Sequence, residues 1–531
     1  MKLRQDSDPV ETAARLRRRT YSPLCGLVTS VGYSLHPALG PRVRVNGGEL
    51  TGMHALLDRP DPKPGSYHIG GVGLNEFEAE IKVYAEAVER YCAGTGILHS
   101  PFERRWATRQ ELLARTEDEV LDLGAFGFAQ RVAGGAFDTY RDDLPMTWVK
   151  TPRVGTSRQE WIPAQFFYLG YNPRRHDGEP WLGTAVTTGT AVHTSRVAAT
   201  LSAAYELIQV DAAMGLWYGA SSPVRIRVEG PRLQRIQRLV ERAAGRSHEL
   251  RFYWLPTPGL KHFTVACMMV GSGNQLPLVA VGLGADAGLE AAMYKAFLEC
   301  SGVRMLAVWT SFDAEADASS MSTEDMLDLD SNVSYYARNY QAAQSVVAKF
   351  DAGTIAQAED LPPDDTHTGA ELVKSVVNSI TCVSPLYIED FTHHRDPGAG
   401  TALCQALGAW AARPVTAQRT HAGTPPLRRI WRFPKPTAAP IPLSAPDVCL
   451  VLLPADHHRT HQLVPSDFGQ DGRQRHPQVE LCDHLRRSAG SVGTCLPRVH
   501  AGQKPLGTAW LGPRADRATR HCRRSPAGLL A

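Results

Sequence analysis

Up to about residue 395 the chain alternates between two hydrophobic rhythms. HFTVACMMVG (262–271) and PLVAVGLG (277–284) are nearly unbroken apolar runs, the pattern of buried strands. EAEIKVYAEAVERYCAG (78–94) and SRVAATLSAAYELIQVDAAMGLWY (195–218) bring apolar residues back every three or four positions, which predicts long amphipathic helices. Strands alternating with helices predict an α/β (α+β) fold with a mixed sheet and packed helices. Past residue 395 the rhythm stops. From Arg413 onward the chain holds two lysines, Lys435 and Lys504, against sixteen arginines, and a single glutamate, Glu480. Such composition buries too little apolar surface to offset chain entropy. Residues 1–19 thus read as an N-terminal extension and 20–395 as the folded part. Residues 396–531 read as a low-order Pro/Arg/His-rich tail, either natural or a GC-rich stretch read out of frame.

Within the folded part a loose repeat recurs. GGVG (70–73) precedes a helix carrying Glu86, Glu89 and Arg90; TTGTA (187–191) precedes one carrying Glu206; GLGA (282–285) precedes one carrying Glu299 and Arg304. Gly71 to Glu86 is fifteen positions, and Gly189 to Glu206 and Gly282 to Glu299 are seventeen. Three units of strand, glycine turn and helix predict one sheet with helices packed on it. Glu86 and Glu89, three apart, project from one helix face. Paired carboxylates repel unless a cation or a basic group compensates. Magnesium suits that need, because it takes a few carboxylates and leaves positions for phosphate oxygens, which Arg90 and Arg304 can clamp. Each residue alone also reads as an ordinary solvated helix face; the threefold arrangement is the more specific signal.

Charge and cysteines narrow the setting. A formal net charge of +3 is too small to argue for nucleic acid or a membrane surface as partner. No apolar run is long enough for a membrane helix, and MKLRQDSDPVETAARLRRRT has no apolar signal core. The ten cysteines contain no CxxC pair, so a reduced, cytoplasmic setting is expected. There is no GxxxxGK[ST], so nucleotide use is not of the Walker type. His457 and His461 have a helical metal spacing but no helical context, and read as chance.

The glycine–helix segments resemble the YcaO family. GGVGLNEFEAEIKVYAEAVERYC (70–92) is similar to the family's glycine turn and E-x-x-E-R helix, and TTGTAVHTSRVAATLSAAYELIQVDAAMGLWY (187–218) to its second signature, E-x-x-E-R-D. GLGADAGLEAAMYKAFLECSGVR (282–304) looks like its third helix, and PLYIEDFT (385–392) like a late strand. The resemblance implies a YcaO-type ATP-binding domain over 20–395, with ATP and Mg2+ as cofactors. It places Glu86, Glu89, Arg90, Glu206 and Arg304 at the nucleotide and Glu86, Glu89 and Glu206 at the metal. It also implies ATP-dependent activation of peptide backbone amides. A Cys, Ser or Thr side chain attacks the carbonyl, the amide oxygen is phosphorylated, and loss of phosphate leaves an azoline in a ribosomally made precursor peptide. A separate leader-peptide-binding partner is implied, and a homodimer is left open.

The chain departs from the family pattern at four positions: Gln209 and Val210 in the second helix, Gly302 in the third, and Val72 in the first glycine segment. Gln209 gives up a charge and Val210 offers no phosphate donor. The alternative reading is therefore a YcaO-like scaffold without catalysis.

Overall fold

The structure is a computed structural model and describes residues 8–33, 40–51, 54, 68–126, 137–183, 186–219, 221–257, 259–273, 275–313, 329–382, 384–392 and 403–409. Helix α1 (Pro9–Thr20) leads into the antiparallel sheet β1 (Val28–Tyr33), β2 (Arg44–Leu50) and β3 (His68–Gly73), against which α2 (Glu76–His99) packs. A second sheet follows from β4 (Arg104–Ala107), β5 (Glu119–Val120), β6 (Met146–Pro152) and β7 (Gln159–Pro163), with α3 (Arg109–Arg115) and α4 (Ala164–Phe167) between and after its strands. The fully buried Trp148, Trp161 and Tyr168 fill its core. Then come β8 (Thr190–His193) and α5 (Arg196–Tyr218), and next β9 (Val224–Ile226), α6 (Gln234–Ala243), β10 (His248–Trp254), β11 (Phe263–Gly271) and β12 (Val279–Asp286). Three helices, α7 (Leu289–Asp313), α8 (Leu329–Arg338) and α9 (Tyr340–Asp351), precede β13 (Thr354–Ala356). Last come α10 (Gly369–Thr381), β14 (Leu386–Asp390) and β15 (Leu403–Ala409). The largest sheet runs β12-β11-β10-β9-β13, and β14-β15-β8 forms another.

The expected strands and helices form, and the sheets are mixed: β13 runs parallel to β9 and β5 to β7, while the other pairs are antiparallel. The single sheet expected from the repeat is not found, because β3, β8 and β12 lie in three different sheets. The repeat encodes how a strand meets its own helix; it says nothing about which edge that strand pairs with.

Two of the three glycine segments are not turns. GGVG lies inside β3 and GLGA inside β12. Their glycines serve close packing instead. A Cβ on Gly71 would meet Ala79 O at 2.2 Å and Val83 N at 2.6 Å, and one on Gly284 would meet Ala292 O at 2.4 Å and Ala296 N at 2.5 Å. Both contacts fall eight and twelve positions downstream, so Gly71 and Gly284 are equivalent. On that register Ala191 is the third member, and Glu86, Glu206 and Glu299 each stand fifteen positions on. The helix starts match too: Asn75 caps α2 and Ser195 caps α5, four residues after Gly71 and Ala191. Only TTGTA bends, with Gly189 at φ +89° ahead of β8.

Ordered structure continues past residue 395. β15 pairs antiparallel with both β14 and β8. LCQALGA (403–409) is still apolar and precedes the compositional shift at Arg413, which explains why it can form a strand. Residues 410–531, with His457 and His461, lie outside the described residues.

Candidate active site

The repeat helices turn their carboxylates back onto the strands before them. Glu86 Oε2 accepts from Gly70 N at 2.7 Å, and Glu206 Oε2 accepts from Gly189 N at 2.9 Å. In these two units a backbone N–H ahead of the helix thereby fixes the carboxylate that points from it. Glu89, one turn beyond Glu86, reaches the second unit: its Oε1 accepts from Thr190 Oγ1 at 2.7 Å. That hydroxyl is buried and also lies 2.7 Å from Thr187 O. Residues 189 and 190 of one turn therefore hold Glu206 and Glu89, which come from different helices.

The third helix joins the same group. Burial raises the proton affinity of Glu299, the Glu86 charge raises it further, and Lys82 and Arg90 lower it. Glu299 is accessible to solvent although protein packs densely around it. Glu89 is held the same way: burial pushes its carboxyl up to about 7, against the pull of Arg90 and Thr190. Glu86 has its counter-ion, Arg90 Nη2 at 3.0 Å, and the Arg90 side chain is only 7% exposed.

Arg304, expected at the nucleotide, is buried in α7. It is 4% exposed and its electrostatic neighbours are Cys300 and His248. Its Nε has no hydrogen-bond acceptor, and among the described residues it has no carboxylate partner. The four departures also have structural places. Val210 is buried in α5, so that position faces the core, while Gln209 keeps partial solvent access. Val72 and Gly302 meet: a Cβ on Gly302 would lie 2.9 Å from Val72 Cγ2. An apolar side chain in β3 is thus matched by the missing one in α7.

Two site residues went unassigned in the sequence. Glu299 was visible as a repeat carboxylate, and its equivalence to Glu86 becomes plain once Gly284 rather than Gly282 sets the register. Thr190 carried no signal, because nothing local says that its hydroxyl will meet Glu89 101 positions away.

These units coincide with a family model. The model described as YcaO cyclodehydratase, ATP- and Mg2+-binding, matches residues 70–383, more than half of the 531 residues. The chain belongs to the YcaO family. A heterocyclase solved in complex with substrate and cofactor is similar in fold at TM-score 0.56 and 16% identity, over 77% of this chain and 54% of that one. The YcaO chain here therefore spans about half the length of that heterocyclase. YcaO from Methanopyrus kandleri, bound with AMPPCP and Mg2+, matches at TM-score 0.49 and 17% identity, over 76% of this chain and 90% of that one. The E. coli microcin synthetase McbBCD complex matches at TM-score 0.47 and 12% identity, over 73% and 89%. No curated protein sequence matches the chain.

The residues present suit the family's cofactors, ATP and Mg2+. No three His, Cys, Asp or Glu side chains close into a cage among the described residues. Magnesium does not need one, since it completes its octahedron with water and phosphate oxygens. A group of neighbouring carboxylates, one of them with its proton affinity pushed up to about 7, is a donor set that a dication would complete. Among the described residues no helix is long and apolar enough to cross a membrane.

Proposed function

We propose that this protein activates peptide backbone amides at the expense of ATP, converting Cys, Ser or Thr residues of a precursor peptide to azolines. The observation that carries the reading is the convergence of Glu86, Glu89 and Glu299, with Thr190 tying in the second unit beside Glu206. Magnesium-bound ATP supplies the phosphoryl group that makes the amide oxygen a leaving group. Glu86, Glu89 and Glu206 are the metal-facing carboxylates of this reading. Glu206 and Glu86 are preset by Gly189 N and Gly70 N, so little reorganisation remains when the cation enters. Arg90 holds Glu86 in place as its counter-ion, and Arg304, buried without a carboxylate, is suited to an anion.

A separate leader-binding protein would deliver the precursor. Replacing Glu86 and Glu89 together by Gln is expected to abolish magnesium-dependent ATP turnover; turnover unchanged from wild type would refute the site. Val210 motivates the second reading, a non-catalytic scaffold, because its buried side chain offers no phosphate donor. Calorimetric titration with Mg-ATP separates the two, since a scaffold gives no heat of binding.

A further inference from the structure

A site that gathers negative side chains around a polyphosphate needs an accessible cation, and both assigned arginines are buried. Arg90 is committed to Glu86, and Arg304 lies beside Cys300 and His248. Lys82 is different. It stands four residues before Glu86 and eight before Arg90, on the same stripe of α2. Its side chain is 43% exposed, and its ammonium sits on Val72 O of β3, two residues along the strand from Gly70, whose N–H holds Glu86. Its ammonium is positioned by two anchors, Val72 O at 2.8 Å and Glu78 Oε1 at 3.0 Å. Glu78 is itself fixed by Leu74 N at 2.9 Å and Tyr294 OH at 2.8 Å. An ammonium has three N–H donors, so two anchors leave one unspent.

We infer that Lys82 is a positioning residue for the phosphates of the nucleotide, holding an ammonium at Val72 O one helical turn before Glu86. The inference rests on the nucleotide reading above. The repeat supplies an internal control. Lys295 is the equivalent lysine of the third unit, eleven positions after Gly284 as Lys82 is after Gly71, and its Nζ lies 3.1 Å from Ala285 O. Lys295 pairs with Asp286 at 2.7 Å and lies over the Tyr205 ring. The two lysines share one local geometry, and Lys82 is the one that precedes Glu86 and Arg90 on its helix.

The test is calorimetric titration of the full chain with Mg-ATP, Mg-ADP and AMP. Lys82→Met is expected to weaken Mg-ATP binding about tenfold, the size of one charge-assisted phosphate contact, with AMP affinity unchanged. Lys82→Arg should restore most of it, and Lys295→Met should bind Mg-ATP like wild type. Wild-type Mg-ATP affinity in Lys82→Met, with binding lost in Glu86→Gln, would reduce Lys82 to a strap between α2 and β3. An equal loss for AMP would also overturn the inference, as it would report collapse of the site. If wild type itself takes up no Mg-ATP, the proposed function fails, and the role of Lys82 falls with it.

Discussion

At the scale of single residues, the site is governed by how much a carboxylate costs to ionise. Glu89 is surrounded by protein, and its proton affinity rises to about 7 although Arg90 and Thr190 both favour the charged form. A metal must displace that proton. Magnesium affinity, measured by titration in the presence of a non-hydrolysable nucleotide, is therefore expected to fall as pH drops below about 7, approaching tenfold per unit where one proton is exchanged. Glu89→Gln should flatten this dependence as well as weaken binding; a steep profile surviving in that variant would move the titration elsewhere. For folding without metal the sign is opposite. The folded chain holds the proton more tightly than the unfolded one between the ordinary carboxylate range and about 7, so stability falls as pH rises through that window. The acidic pair of α2 was legible in the sequence, since Glu86 and Glu89 lie on one helical face. The division of labour along it was not, because burial and partners come from β3, β8 and α7.

At the scale of elements, the unit repeated three times is a strand crossed closely by its own helix. In the first and third units closeness depends on a missing side chain at the crossing, Gly71 and Gly284. Gly71→Ala would place a methyl 2.2 Å from Ala79 O, so strand and helix must separate, at a cost of about 3 kcal/mol or more. Gly70→Ala, one residue away, meets nothing within 4 Å and should change stability by less than about 0.5 kcal/mol. Chemical denaturation of the two variants checks the pair; equal effects would remove the packing argument. Glycine punctuation in the sequence suggested turns, because that is where glycine most often falls. Here the chain uses it within strands, a choice that only the approach of α2 and α7 makes visible.

At the scale of the molecule, β14 links the late chain to the early helices. Tyr387 OH donates to the buried Glu160 of β7 at 2.7 Å, and Glu389 lies 3% exposed beside Ser100 and Tyr168. Burial pushes the Glu389 carboxyl up to about 7, against the opposing pull of the nearby Ser100, Tyr168 and Arg104. A raised carboxylate withholds stability once it must ionise. Thermal stability should thus be lower at pH 8 than at pH 5.5 by a few kcal/mol at most, roughly 1.4 kcal/mol per pH unit across the window. Glu389→Gln should remove much of that slope, and a slope unchanged in the variant would exclude Glu389 as its source.

The sequence by itself determined the local facts. Apolar period marked strands and helices, composition marked the change of character near Arg413, and spacing marked Glu86, Glu89, Glu206 and Glu299 as members of one recurring unit. Such features depend on residues within a few turns of one another, so they survive in a one-dimensional reading. Tertiary structure decided what each member faces. It set three repeat strands into three sheets, joined Glu89 to Thr190 across 101 positions, buried Arg304 beside Cys300 and held the half-exposed Lys82 on Val72 O. Those outcomes rest on long-range pairing and on burial, and burial is a property of everything packed around a group rather than of the group itself.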